Sequence, residues 1–134
     1  MVSLSEAQTD FLKKARVARL ATFGDKGIHL VPICYAYNEN YIYIGTGAKS
    51  VKVKNLERNS EITFLVDEYS EDWNRLKGLM IKGKAEIVKG GKNFEDGKVI
   101  LYKKYSQYEK EAPIKEGQNV IIKVKPRDIV SWGL

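Results

Sequence analysis

Two turn signals lie close together near the start of the chain, Gly24-Asp25-Lys26-Gly27 and Asn38-Glu39-Asn40. Each separates two runs rich in β-branched and aromatic residues, at 17–23, 28–37 and 41–46. Gly, Asp and Asn tolerate the backbone conformations that a tight hairpin needs. Two hairpins in succession commit this part of the chain to an antiparallel meander, because a parallel pair needs a long crossover.

The rest of the chain extends that pattern. Residues 62–69 and 79–88 read as a fourth and a fifth strand, with the polar loop 71–78 between them. Gly83 inside the fifth strand suggests a bulge or a close backbone approach. Residues 119–125 read as the sixth strand, followed by a further strand-like piece in "PRDIVSWGL". Helical spacing falls in three places. Residues 5–16 carry an apolar stripe of Ala7, Phe11, Leu12 and Ala15, with Ser5 and Gln8 at capping-box spacing. A second helix follows the third strand. A third is expected over 94–108, with Val99, Tyr102 and Tyr105 roughly in line. Six strands with closely spaced turns and flanking helices suit a small α+β, six-stranded antiparallel β-barrel, in one domain spanning 1–134.

Composition narrows the function classes. Hydrophobic residues make up 43% and charged residues 30%, a globular balance, and no apolar run is long enough to span a membrane. The N-terminus lacks a signal-peptide core, so the chain reads as cytoplasmic. Cys34 is the single cysteine and His29 the single histidine, which rules out cysteine clusters and histidine-rich metal sites. Cys34 lies among apolar neighbours and reads as a buried small hydrophobe. His29 reads as a satisfied strand histidine, and Trp132 as core. No nucleophile elbow, Walker A or dinucleotide fingerprint is present, and no catalytic side chain is identified. The acids Asp67, Glu68, Glu71 and Asp72 read as a solvated loop. A net charge of +6 suits an anionic partner, either a nucleic acid or a phosphorylated small molecule.

The segment "TGAKSVKVKNLERN" favours the second. Lys49, Lys52 and Lys54 crowd the start of the second helix. A helix N-terminus carries partial positive charge, so cations there are unfavourable unless an anion joins them. Ser50 is placed to cap the helix, and free backbone N–H groups follow it. With Thr46 nearby, the group forms an anion site. An edge strand with protective lysines is the other reading of "SVKVK".

The order "ARVARLAT", "IHLVPICYAY", "YIYIGT" and "KSVKVKNL", followed by "VDEYSEDWNRLKGLMIKGKAEIV" and "VKPRDIVSW", resembles the pyridoxamine 5′-phosphate oxidase-like superfamily of FMN-binding split β-barrels. The middle segment looks like the branch of deazaflavin (coenzyme F-420)-dependent enzymes. The resemblance implies a homodimer with two cofactors, FMN or the deazaflavin, at the subunit interface. It implies that Thr46, Lys49, Ser50 and Lys52 hold a cofactor phosphate and that Val31, Pro32 and Ile33 run along the ring system. It further places Trp73 and Arg75 over the site. The implied activity is hydride transfer to or from a small-molecule substrate, with the cofactor supplying the chemistry. The extra substrate-phosphate arginines of the oxidase itself are not found, so the resemblance does not extend to vitamin B6 oxidation. The alternatives are a nucleic-acid-binding barrel and a flavin- or haem-binding carrier without turnover. The tyrosines show no stacking pattern of an RNA-reading sheet, which counts against nucleic acid.

Overall fold

The computed structural model describes residues 2–134. Its strands are β1 (Ala18–Gly24), β2 (Gly27–Ile33), β3 (Ala36–Asn38), β4 (Tyr41–Gly47), β5 (Glu61–Glu68), β6 (Lys77–Val88) and β7 (Asn119–Trp132). Its helices are α1 (Glu6–Lys14), α2 (Val51–Arg58), α3 (Gly91–Lys104) and α4 (Tyr108–Glu111), with a 3-10 turn at Trp73–Arg75. The strands form one sheet in the order β2-β1-β5-β6-β7-β4-β3, and every pairing is antiparallel. No helix among the described residues is long and apolar enough to cross a membrane.

The architecture is the expected α+β barrel type, but it has seven strands rather than six. The expected strand over 28–37 is two strands, and they lie at opposite ends of the sheet. Only Cys34 and Tyr35 separate them. The sheet therefore curls until its ends meet, and covalent chain rather than a ladder joins them.

Tyr35 causes the break. Its ring is fully buried and packs edge-on against Phe64 at 4.9 Å. Its hydroxyl donates to the Leu12 carbonyl at 2.6 Å, and its N–H donates to the Tyr105 hydroxyl at 3.2 Å instead of to a neighbouring strand. With Tyr35 turned inward, Cys34 turns outward and is exposed, contrary to the buried position expected of it.

Two further elements differ from the sequence pattern. β7 is one continuous strand through Pro126, not a strand plus a separate piece. The register slips between Lys82 and Gly83, where Gly83 faces Pro126, so the missing N–H of proline falls at an irregularity. A Cβ on Gly83 would sit 2.3 Å from the Lys125 carbonyl oxygen, which is the close approach expected of that glycine. α3 begins and ends earlier than 94–108. Its inward face is Phe94, Gly97 and Leu101, while Val99 is exposed. Tyr105 leaves the helix in extended conformation because its hydroxyl is held by the Arg16 carbonyl at 2.8 Å and by Tyr35.

The main core fills the curl of the sheet, with Leu20, Ile33, Ile44, Phe64, Ile81 and Val124 at its centre. A second cluster, including Tyr43, Phe94, Leu101 and Ile121, lies beneath α3. Each such side chain contributes roughly 1.5–3 kcal/mol by leaving water. Ser5 caps α1 with both halves of the capping box made, as expected.

Candidate functional site

The residues expected to hold an anion lie at the end of β4 and the start of α2. The helix leaves β4 through a turn in which the Ser50 N–H donates to the Gly47 carbonyl at 3.1 Å. It then crosses to β1, where buried Asn55 donates from Nδ2 to Thr22 Oγ1 at 3.0 Å. β4 and β1 lie far apart in the strand order, so α2 spans the place where the curled sheet comes together. Val53 and Leu56 anchor it in the main core.

Ser50 has the backbone conformation of an N-cap, but its side chain makes no capping bond. Its hydroxyl instead lies 3.4 Å from Thr46 Oγ1. The first turn contains no acid to balance the helix end. Lys49, Lys52 and Lys54 form no ion pair and donate no side-chain hydrogen bond among the described residues. Lys52 is half-buried, and that burial pushes its ammonium pKa below the usual lysine range. Thr46 Oγ1 thus donates to Ser50 Oγ, Lys52 has no partner for its ammonium among the described residues, and Lys49 is exposed.

The other expected residues are placed differently. On β2, Ile33 is in the core and Val31 packs against it, so both side chains face inward. Pro32 is exposed on the opposite face. β2 pairs only with β1, so its outer edge has no ladder partner. A ring lying along 31–33 would therefore meet the strand edge and Pro32 rather than the Val31 and Ile33 side chains. Trp73 and Arg75 occupy the 3-10 turn in the β5–β6 connection. Trp73 is 74% exposed, and its Nε1 donates to the Tyr69 hydroxyl at 3.4 Å. Arg75 Nε lies 3.9 Å from Asp72 Oδ2. These polar contacts all stay within the loop, so the chain does not bring Trp73 and Arg75 into hydrogen-bonding contact with the start of its own α2. The acids Asp67, Glu68, Glu71 and Asp72 are all exposed, as expected.

His29 corrects the sequence reading. It faces Thr22 across β1–β2, yet its Nδ1 is buried with no hydrogen-bond partner. It lines an open cleft of about 840 Å³ between the β1–β2 hairpin and α2, together with Val51, Lys54, Asn55 and Arg58. Arg58 is ion-paired there with Asp25. Val51, Lys54, Asn55 and Arg58 recur at helical spacing, a signal visible once α2 is accepted as a helix. Asn55 was not singled out from sequence, although an Asn amid the apolar positions of a helix is a sign of a buried hydrogen bond. Trp132 is not core. It is 45% exposed and its ring lies against Gly78, where a Cβ would come within 1.9 Å of it.

Residues 4–133 match the family described as pyridoxamine 5′-phosphate oxidase. Among curated proteins, none matches the sequence. Solved structures share the fold. A conserved hypothetical protein from Mycobacterium tuberculosis is 28% identical, with 98% of this chain and 86% of that chain aligned and a TM-score of 0.83. An FAD-binding protein from Mesorhizobium loti is 20% identical, over 96% of this chain and 94% of that chain, at a TM-score of 0.77. A structure described as an F420 reductase is also 20% identical, over 95% of this chain and 98% of that chain, at a TM-score of 0.73.

Proposed function

The chain belongs to the pyridoxamine 5′-phosphate oxidase family, and from that premise we propose that it is an oxidoreductase that binds FMN or deazaflavin coenzyme F-420 and acts on a small-molecule substrate. The start of α2 carries this reading. A serine at the capping position that does not cap, a half-buried lysine without a counter-charge and a helix end without an acid all await one anion. A phosphate fits that donor set, because its oxygens accept from hydroxyl, ammonium and backbone N–H together.

The bound flavin or deazaflavin supplies the hydride chemistry. Thr46, Ser50 and Lys52 hold the phosphate. The unpaired edge of β2 at 31–33 offers backbone groups to the polar rim of the ring, and Pro32 offers an apolar surface. Lys49 adds long-range attraction at the mouth of the cradle.

The site is shared between two copies of the chain. The outer face of the sheet carries Phe23 opposite Ile28, and Leu65, Met80 and Val130 in one cross-strand row. Ile28 is 69% exposed and Leu30 64%, an apolar surface suited to a second copy. The exposed acids of the Trp73 loop complement the lysines of α2, which favours docking the loop of one protomer over the cradle of its partner. In that arrangement Trp73 and Arg75 cover a cofactor held by the other protomer.

Titration of the protein with FMN and with the deazaflavin tests the reading. One cofactor per chain is expected, and binding of neither tighter than about millimolar, roughly −4 kcal/mol, overturns it. Sharing is tested with a purified heterodimer of a Lys52→Glu chain and a Trp73→Ala/Arg75→Ala chain. Shared sites leave one site intact, so about half of the tight binding returns. Sites built within single chains leave none.

A further inference from the structure

We infer that the C-terminal pair Trp132–Gly133 is a latch that positions the Trp73 loop. The inference rests on the reading of Trp73 as the cover of the cofactor site. β6 begins at Lys77, directly after the loop, and its second residue, Gly78, pairs with Trp132 of β7. The Trp132 ring fills the space above Gly78 so closely that any side chain there would collide with it. One residue on, Gly133 adopts a φ of +72°, and its Cα lies against the Leu76 carbonyl, where an added Cβ would be 2.1 Å from the oxygen. Leu76 in turn closes the 3-10 turn, its N–H donating to the Trp73 carbonyl at 3.4 Å.

The tail thus holds Leu76, and Leu76 holds the turn that presents Trp73. The β5–β6 ladder fixes the two ends of the loop through the Glu68–Lys77 pair, and among the described residues its middle has no other anchor outside the loop. Its remaining hydrogen bonds are internal, from Trp73 to Tyr69, from the Tyr69 hydroxyl to Glu71, from the Asn74 N–H and the Arg75 N–H to Asp72, and from the Asp72 N–H to Ser70. Trp73 is largely exposed, so burial does not fix it. Both glycines follow from this role. Gly78 admits the indole, and Gly133 supplies the left-handed backbone and the close approach that bring the tail over Leu76. Trp132 and Gly133 are positioning residues, because they act through the loop and not on the cofactor.

The chain has 2 tryptophans, so replacing Trp132 leaves Trp73 as the single reporter. Three proteins are compared by time-resolved fluorescence anisotropy of Trp73: Trp132→Phe, Trp132→Ala, and Trp132→Phe with Gly133→Ala. Phenylalanine keeps a ring on Gly78 and preserves an ordered Trp73. The other two release the loop, and a fast nanosecond component grows in the decay. If Trp132→Ala does not fold, the Gly133→Ala protein still carries the comparison, since it leaves the ring in place. The same decay in every folded variant overturns the latch. FMN dissociation is followed in parallel and quickens by about two- to ten-fold when the loop is freed, from the cost of re-ordering its side chains on binding. Dissociation of the deazaflavin is followed in the same way, and should the anisotropy change as expected while neither cofactor binds, or the one that binds leaves all the proteins at one rate, the latch stands and the cover role of Trp73 falls.

Discussion

Replacing Lys52 by Met should make the cofactor-free protein more stable and a poorer binder. Met keeps an unbranched apolar side chain and removes the charge. Lys52 is the second residue of α2, where the helix end repels a cation by about 0.3–1 kcal/mol. Its burial adds a cost of the same sign, shown by the downward pKa shift. No carboxylate offsets either among the described residues. The helix-end effect alone predicts a gain of about 0.3–1 kcal/mol, a rise in melting temperature of about 1–5 °C for a domain of this size, and burial adds to it. The natural control is Lys92, the second residue of α3, which is 88% exposed and pairs with Asp96 at 3.2 Å. In Lys92→Met the loss of the surface pair, about 0.3–0.5 kcal/mol, offsets the dipole gain. Urea unfolding of both variants gives the stability, and fluorescence titration gives the FMN affinity. Affinity should fall by roughly ten- to a hundred-fold in Lys52→Met, the worth of a hydrogen bond to a charged group. It should be unchanged in Lys92→Met. A destabilised Lys52→Met protein that still binds FMN normally would refute the reasoning on both counts.

Other outcomes follow from particular contacts. Ser5→Ala, which breaks a complete capping box, should cost about 0.5–2 kcal/mol in urea unfolding, whereas Ser50→Ala should cost only a few tenths, since no capping bond is lost. Tyr105→Phe leaves the buried Tyr35 N–H without an acceptor and should cost about 1–3 kcal/mol by the same assay. Lys104 lies over the Tyr35 ring at 3.9 Å, and burial and nearby Arg16, against a smaller opposing effect of Cys34, lower its pKa from 10.5 to about 8. The unfolded chain therefore binds more protons between those two values, so stability should rise with pH from about 8 to 10.5 relative to Lys104→Met. Parallel pH series of the two proteins check this, and a flat difference would contradict it.

The two hairpins were legible in the sequence because their turns are local, but they lie at opposite ends of the sheet and do not form the expected meander. Asp25-Lys26 and Glu39-Asn40 sit between strands whose alternation survives folding, and Glu39 and Asn40 do adopt positive φ. The split between β2 and β3 was not legible, because apolar character runs unbroken through "LVPICYAY". Partners decide it, Leu12 at 23 residues' separation and Tyr105 at 70, which no local pattern reports. The face of α3 was misread because Gly97, a true inward position, carries no apolar signal, while Val99 does. The start of α2 and its unbalanced lysines were legible for the opposite reason. Cations at a helix start conflict with local electrostatics, and the conflict lies within a few adjacent residues. The orphaned Nδ1 of His29 and the outward placement of Trp132 depend on packing between strands, and so escaped it.

The central claim is that the start of α2 exists to hold a phosphate, and riboflavin differs from FMN by that group alone. Affinities of the protein for FMN and for riboflavin, measured side by side by fluorescence titration, isolate it. The account predicts that FMN binds at least about ten-fold more tightly and that the gap closes in Lys52→Met. Equal affinity for the two ligands, or a gap that survives Lys52→Met unchanged, would contradict it.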